Sequence, residues 1–307
     1  MKTAILIPCY NEAMTIEEVV ADFKKEMPDA DIYVYDNNST DNTYEIAKNA
    51  GAIVKKEFKQ GKGNVVRAMF RDIEADCYIM VDGDNTYPAE SGPEIEEIIL
   101  SGKADMVIGD RLSSTYFEEN KRRFHGFGNK FVRKFINVFF RSDLADIMTG
   151  MRGFNREFVK SFPIASKEFE IETEMTIFAL NHNFLIKEIP IEYRDRIEGS
   201  ESKLNTYVDG LKVVKVLFSY FRNTRPFVFF SLTAVILIII ALIYFIPVLM
   251  HFLQTGYVEK APTLIMVSMV IVIAVIIFFA GVILHVIKKY QNDNFERYLT
   301  TLRYNKK

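Results

Sequence analysis

Two stretches of this chain leave little freedom in how they fold. Residues 227–249 read FVFFSLTAVILIIIALIYFIPVL and residues 263–287 read TLIMVSMVIVIAVIIFFAGVILHVI, with no Asp, Glu, Lys or Arg in either. A helix on the surface of a soluble protein needs a polar face, and neither run has one. At about 1.5 Å per residue, each is long enough to cross a hydrocarbon core of roughly 30 Å. We therefore expect two transmembrane helices, 227–249 and 263–287, joined by a short extracytoplasmic loop, 250–262. Lys212, Lys215, Arg222 and Arg225 precede the first run, and Lys288, Lys289, Arg297, Arg303, Lys306 and Lys307 follow the second. The loop carries only Lys260, balanced by Glu259. Positive flanks stay in the cytoplasm, which makes 288–307 a cytoplasmic tail. Pro247 predicts a kink or helix end near the far side of the first span. The stretch before it, 205–226, predicts an interfacial amphipathic helix on the bilayer.

Residues 1–204 have a different pattern. Short β-rich runs, TAILIP, DIYVYD, CYIMVD, DMVIGD and IKEIPIEYRD, recur along them, and helix-like stretches separate the first four. This alternation predicts an α/β domain with a mostly parallel sheet. Thr15 and Glu18 have the spacing of a capping box. Gly51 and Gly102 stand where helices should end, and Pro93 where one should begin. The formal net charge of −2 gives no basic footprint for nucleic acid. With Cys9 and Cys77 alone, neither a disulfide framework nor a four-ligand zinc site is expected, and both thiols read as buried. The N-terminal MKTAILIPCYNEAM turns polar too soon for a signal peptide.

In such sheets ligands bind at the carboxyl ends of the strands. IPCYNE, YDNNSTD, VDGDNTYP and GDR all stand at such ends. The first turn lacks G-x-G-x-x-G, and QGKGN lacks the spacing of a P-loop, so dinucleotide and NTP sites are disfavoured. Asp82 and Asp84 would repel one another across Gly83 unless a cation sat between them. A hard divalent ion, Mg2+ or Mn2+, uses one or two carboxylates and completes its shell with water and phosphate oxygens.

The stretches IPCYNE, VYDNNSTDNT, QGKGNVVR, MVDGDNTYP, IGDRL, DIMTGMRGFNR, FEIETEM and RDRIEGSESKL together resemble the polyprenyl-phosphate group of family 2 glycosyltransferases. The resemblance spans residues 7–204 and implies a nucleotide-sugar-binding glycosyltransferase A-type domain. It implies that Pro8, Tyr10 and Glu12 line the nucleotide pocket and that Asp36 sits by the base, with Asn37 and Lys62 nearby. Asp82, Gly83 and Asp84 would meet the donor diphosphate, the two acids through the metal. Asn37 departs from the family's usual second Asp, and Thr86 stands where many relatives carry Gln. Asp146 and Glu172 match carboxylates near the sugar.

The acceptor so implied, a polyprenyl phosphate, is already an anionic nucleophile, so charge management matters more than a general base. Candidate arginines are Arg111, Arg122, Arg123, Arg152, Arg194 and Arg196, with Lys203. Arg111 and the Arg122–Arg123 pair lean toward the acceptor phosphate, and Arg196 and Lys203 toward the diphosphate region. The expected activity is inverting transfer from a nucleotide sugar, UDP-GlcNAc or UDP-glucose favoured, to undecaprenyl phosphate for cell-envelope glycans. GDP-mannose is the alternative donor, and a non-catalytic nucleotide-sugar-binding scaffold the alternative function. A processive polysaccharide synthase is disfavoured because the chain has no tryptophan for a Gln-x-x-Arg-Trp motif. Paired spans with little else to pack on would suit a homo-oligomer. The basic, phenylalanine-rich segment RRFHGFGNKFVRKFINVFF suits either a membrane-surface helix or an ordinary core face.

Overall fold

The structure, a computed structural model, describes residues 1–112, 125–163, 171–194, 218, 219 and 221–304, with backbone alone at 125–131. The chain divides into two compact units, Met1–Val214 and Lys215–Lys307.

In the first unit seven strands form one sheet in the order β3-β2-β1-β4-β6-β5-β7. They are β1 Thr3–Cys9, β2 Asp31–Asp36, β3 Ile53–Lys56, β4 Cys77–Met80, β5 Met106–Asp110, β6 Arg152–Asn155 and β7 Ile186–Pro190. β1 pairs in parallel with β2 and β4, β2 with β3, and β5 with β7. β6 runs antiparallel between β4 and β5. All residues of β1 are buried, as expected of a strand covered on both faces. The chain leaves β1 toward β2 on one side and returns to β4 on the other. The carboxyl ends of β1 and β4 therefore flank a topological switch point, the place where ligands bind in sheets of this kind.

The helices of this unit are α1 Ile16–Glu26, α2 Thr43–Asn49, α3 Lys62–Asp72, α4 Gly92–Leu100, α5 His125–Phe140, α6 Arg156–Ser161 and α7 Ile171–Asn181. α1 buries Ile16, Val19, Val20 and Phe23 at helical spacing and turns its charges outward. Gly51 and Gly102 follow α2 and α4 with φ of 83° and 70°, as the sequence predicts for helix ends. Phe158, Phe162, Phe178 and Phe184 make a second apolar layer, with ring centroids 5.0–5.8 Å apart. Cys9 and Cys77 are both buried thiols outside any disulfide, and burial pushes the Cys77 thiol up.

One local expectation is corrected. Thr15 precedes α1 but makes no capping hydrogen bond. Its hydroxyl donates instead to Gly83 O at 2.6 Å, a buried tertiary acceptor that ties the start of α1 to the turn after β4.

The second unit contains α8, Pro226–Thr255, and α9, Ala261–Tyr304. Both are long and apolar enough to cross a membrane. Apart from Pro226 and Leu299, their buried residues recur every seventh position, Ala234, Ala241 and Val248 on α8 and Val267, Ala274 and Gly281 on α9. Small residues on such a seam let two backbones approach closely. A Cβ on Gly281 would stand 2.7 Å from Phe230 Cβ. Both helices extend beyond the stretches expected as spans. α8 continues through Pro247 to end at Gly256, whose φ is 67°, and α9 runs on to Tyr304 through the segment expected as a tail. Apart from 218, 219 and 221–226, the expected interfacial helix 205–226 lies outside the described residues.

Candidate active site

The turns after β1, β2 and β4 each contain an asparagine in the left-handed region, Asn11, Asn38 and Asn85, with φ of 53°, 59° and 57°. Asparagine tolerates that conformation better than most residues, so each strand can turn sharply as it leaves the sheet. The first two turns are stitched together. Asn37 N donates to Cys9 O at 2.8 Å, Asn11 N to Ser39 Oγ at 2.9 Å and Glu12 N to Thr43 Oγ1 at 2.9 Å. Pro8 is buried within β1, while Tyr10 is 37% exposed at the rim.

Asp36 ends β2 and is buried, and among the described residues its Oδ1 has no hydrogen-bond partner. An orphaned buried acceptor suits a donor arriving with a ligand, such as a base N–H. Asn37 is used otherwise than the sequence suggests. Its Nδ2 donates to Glu57 O and Lys59 O, both at 2.9 Å, and its Oδ1 accepts from Gly61 N at 2.7 Å. Both amide hydrogens are spent on the 57–61 loop, so Asn37 ties that loop to the end of β2 and has no amide hydrogen left for a ligand.

That loop delivers Lys62. Gly61 takes a φ of 120°, open only to glycine, and α3 starts directly after it. Lys62 Nζ lies 2.6 Å from Asp82 Oδ1 and 2.5 Å from Glu172 Oε1. One ammonium thus joins the end of β4 to the first turn of α7. Burial disfavours its charge, but Asp82 and Glu172 outweigh burial and hold its pKa above the usual lysine value. The backbone beside Asp82 is tight, since a Cβ on Gly150 would fall 2.3 Å from Asp82 Oδ2. Asp84 is 4% exposed, and its Oδ1 accepts from the Thr86 hydroxyl at 2.7 Å. A Cβ on Gly83, between the two acids, would meet Cys9 Sγ at 2.7 Å.

Arg111 follows β5. Its Nε and Nη2 donate to Asp146 Oδ2 and Oδ1 at 2.7 and 3.1 Å, and Nη1 donates to Tyr87 Oη at 3.3 Å. Its guanidinium lies 5.3 Å from the Tyr193 ring centroid. Glu188 accepts from Ala145 N and Asp146 N at 2.9 and 3.0 Å and so fixes the loop that presents Asp146.

The sequence grouped Arg152 with the phosphate-facing arginines, and the structure places it deeper. Arg152 is 0% exposed and donates to Ile147 O, Thr149 O and Thr176 Oγ1 at 2.6, 3.1 and 2.9 Å. Burial lowers its pKa to about 10 despite the opposing pull of Glu172 and Asp146. It braces the 147–149 turn from beneath. Arg194 pairs with Glu90 at 3.0 Å on the surface. Arg122, Arg123, Arg196 and Lys203 lie outside the described residues. On α5 the described buried side chains are Val132 and Ile136, and Phe135 is half-buried. Tyr87 also belongs to the group around Arg111, although in the sequence it reads only as a turn residue before a proline.

The site suits a divalent cation that is shared with a ligand. Asp82 and Asp84 offer hard oxygen donors on one turn, and among the described residues no three acidic, histidine or cysteine side chains gather into an all-protein cage.

A glycosyl transferase family 2 model matches residues 4–162, more than half of the chain, including these strand-end motifs. The chain belongs to glycosyl transferase family 2. Within that family it resembles the polyprenyl-phosphate group. It is 30% identical over 212 residues to the dolichyl-phosphate hexose transferase of Haloferax volcanii, covering 69% of this chain and 90% of the relative. It is 25% identical over 232 residues to the undecaprenyl-phosphate mannosyltransferase of Micrococcus luteus, covering 70% of this chain and 93% of the relative. Glucosyl-3-phosphoglycerate synthase from Mycobacterium tuberculosis, solved with Mn2+, UDP-glucose and phosphoglyceric acid, shares the fold with a TM-score of 0.55 at 19% identity. That match covers 71% of this chain and 79% of the other. This family 2 glycosyltransferase thus carries its strand-end acids and basic side chains on an A-type domain.

Proposed function

We propose that this glycosyltransferase moves a sugar from a nucleotide sugar, with UDP-GlcNAc or UDP-glucose the favoured donors, to undecaprenyl phosphate. The observation that carries this reading is the pairing of anionic and cationic groups on one sheet edge. Asp82 and Asp84 stand at the end of β4, Lys62 bridges Asp82 to Glu172, and Arg111 is oriented by Asp146. The two prenyl-phosphate relatives and the two long apolar helices support a lipid acceptor.

Two anions must meet for such a transfer. Asp36 and the 57–61 loop would hold the base, and Glu172 would orient sugar hydroxyls. Arg111, with Arg122 and Arg123, would hold the lipid phosphate, and Arg196 and Lys203 the diphosphate region. A Mg2+ or Mn2+ ion on Asp82 and Asp84 would neutralise the leaving diphosphate. An acceptor phosphate oxygen attacks the anomeric carbon opposite the leaving group. The new C–O bond forms as the bond to the diphosphate breaks, giving inversion and a β-linked lipid phosphosugar from an α-linked donor. The acceptor is already deprotonated, so no base has to take a proton. The basic residues before α8 and in the last part of α9 support a catalytic domain, 1–204, on the cytoplasmic face, and the paired apolar helices are compatible with a homo-oligomer.

The test is transfer by membranes that contain the full chain, with undecaprenyl phosphate and radiolabelled UDP-GlcNAc, UDP-glucose and GDP-mannose. Chelator-sensitive label in the lipid extract is expected with a UDP-sugar. Label from GDP-mannose alone would reassign the donor. Nucleotide-sugar binding with no labelled lipid would favour a non-catalytic scaffold.

A further inference from the structure

Tyr87 lies five residues beyond Asp82, at the end of the same turn, and is 5% exposed. Its phenol oxygen accepts two hydrogen bonds from different parts of the site. Gly150 N donates at 2.7 Å and Arg111 Nη1 at 3.3 Å. Its ring packs edge-on against Tyr193, centroids 5.4 Å apart, and Tyr193 lies under the Arg111 guanidinium.

The two donors belong to one structural unit. Residues 146–150 carry Asp146, which orients Arg111, at one end. At the other end Gly150 is packed so closely on the Asp82 carboxylate that a side chain there would overlap it. Tyr87 therefore closes a loop of contacts from Asp82 to Gly150, through its own oxygen to Arg111, and back through Asp146 to the segment that holds Gly150. Burial, only partly offset by Arg111, raises the phenol's pKa and keeps it neutral.

We propose that Tyr87 is a positioning residue that sets the distance between the donor end of the site, at Asp82, and the acceptor-phosphate cation, Arg111. This rests on the reading of Arg111 as an acceptor-phosphate group. Tyr87 touches neither substrate in that reading and acts through Arg111 and Gly150. Two anions brought together for an in-line displacement tolerate little error in separation, so a rigid spacer between their cations has a direct kinetic role. The phenol oxygen makes both of these hydrogen bonds. The ring contributes packing that phenylalanine would keep.

The experiment compares the purified full chain with its Tyr87→Phe variant in detergent micelles. Each is assayed for UDP binding in Mn2+ and for transfer to undecaprenyl phosphate, with rates normalised to UDP-binding sites so that a lower folded fraction cannot imitate a kinetic defect. Arg111 keeps its bidentate grip on Asp146 but loses its third anchor, a hydrogen bond involving a charged group in a buried setting. Gly150 N also loses its 2.7 Å acceptor beside Asp82, so the expected result is an acceptor KM raised about tenfold with a clearly smaller loss of UDP affinity. Unchanged acceptor KM, or equal losses in acceptor and UDP affinity, would overturn the proposal. If Tyr87→Phe gives no folded protein, Tyr87→His, with a shorter reach to Arg111, replaces it under the same expectation. Wild type that transfers no sugar would overturn the acceptor reading itself, and the spacer role with it. Active wild type with an indistinguishable variant overturns the spacer role alone.

Discussion

Arg111 and Asp146 meet edge to edge, Nε to Oδ2 at 2.7 Å and Nη2 to Oδ1 at 3.1 Å, with the aspartate 1% exposed. Removing one partner of such a pair strands the other in a poorly solvated place. Asp146→Ala is expected to cost about 3–5 kcal/mol of stability, and the double variant Arg111→Met/Asp146→Leu much less. Denaturant unfolding in detergent measures both. Neither variant should transfer sugar, which separates the fold's need for the pair from the chemistry's.

Glu188 gives a pH dependence with a definite sign. Burial raises its pKa, and the Ala145 and Asp146 amides only partly oppose this. The native state therefore holds this proton more tightly than the unfolded chain does. Its stabilising contribution is full below the ordinary glutamate value of 4.5 and is lost as pH rises through the higher native value. Glu188→Gln, which cannot ionise, should lose that component. Thermal unfolding of both proteins from pH 4.5 upward checks this, and the stability of wild type relative to the variant should fall with rising pH.

Gly150→Ala places a methyl group against the Asp82 carboxylate, where the ideal position lies 2.3 Å from Oδ2. Asp82 or the 146–150 segment must move. Overpacking of this kind costs about 1–3 kcal/mol. Mn2+-dependent UDP binding, measured by calorimetry, should weaken, while chelator-treated samples of variant and wild type should bind UDP alike.

Asn37→Ala removes three hydrogen bonds that hold the 57–61 loop. The expected loss is about 1–3 kcal/mol for the buried backbone groups left unsatisfied. Proteolysis should then cut near Gly61 first, and UDP affinity should fall because Lys62 is no longer delivered to Asp82 and Glu172.

Much of this site was legible in the sequence because its parts stand at the ends of apolar strand runs. VDGD after CYIM and GDR after DMVI needed only the rule that ligands bind at carboxyl edges. Two strands escaped notice for physical reasons. β3 is four residues long and mostly exposed, so its hydrophobic signal is weak. β6, Arg-Gly-Phe-Asn, owes its extended form to antiparallel partners on both sides. Arg152 reads as a phosphate-binding candidate because an arginine is seldom fully buried without a carboxylate partner, and only the tertiary structure supplies its three oxygen acceptors and the Met106 sulfur. The hydrogen-bond partners of Asn37 and Thr15 are not legible in the sequence either, since they lie about 20 and 68 residues away. The seven-residue spacing of Ala234, Ala241 and Val248 was present in the sequence and would have marked the seam between α8 and α9.

The most direct measurement is lipid-linked product formation by Asp84→Asn beside wild type, each with Mg2+ or Mn2+ and with chelator. Asparagine keeps the size of the side chain and the hydrogen bond from Thr86 but removes the charge. Wild type should label undecaprenyl phosphate only with the ion present, and Asp84→Asn, folded and still binding UDP, should label it in neither condition. Full, chelator-resistant transfer by Asp84→Asn would contradict a metal-held donor diphosphate at the end of β4.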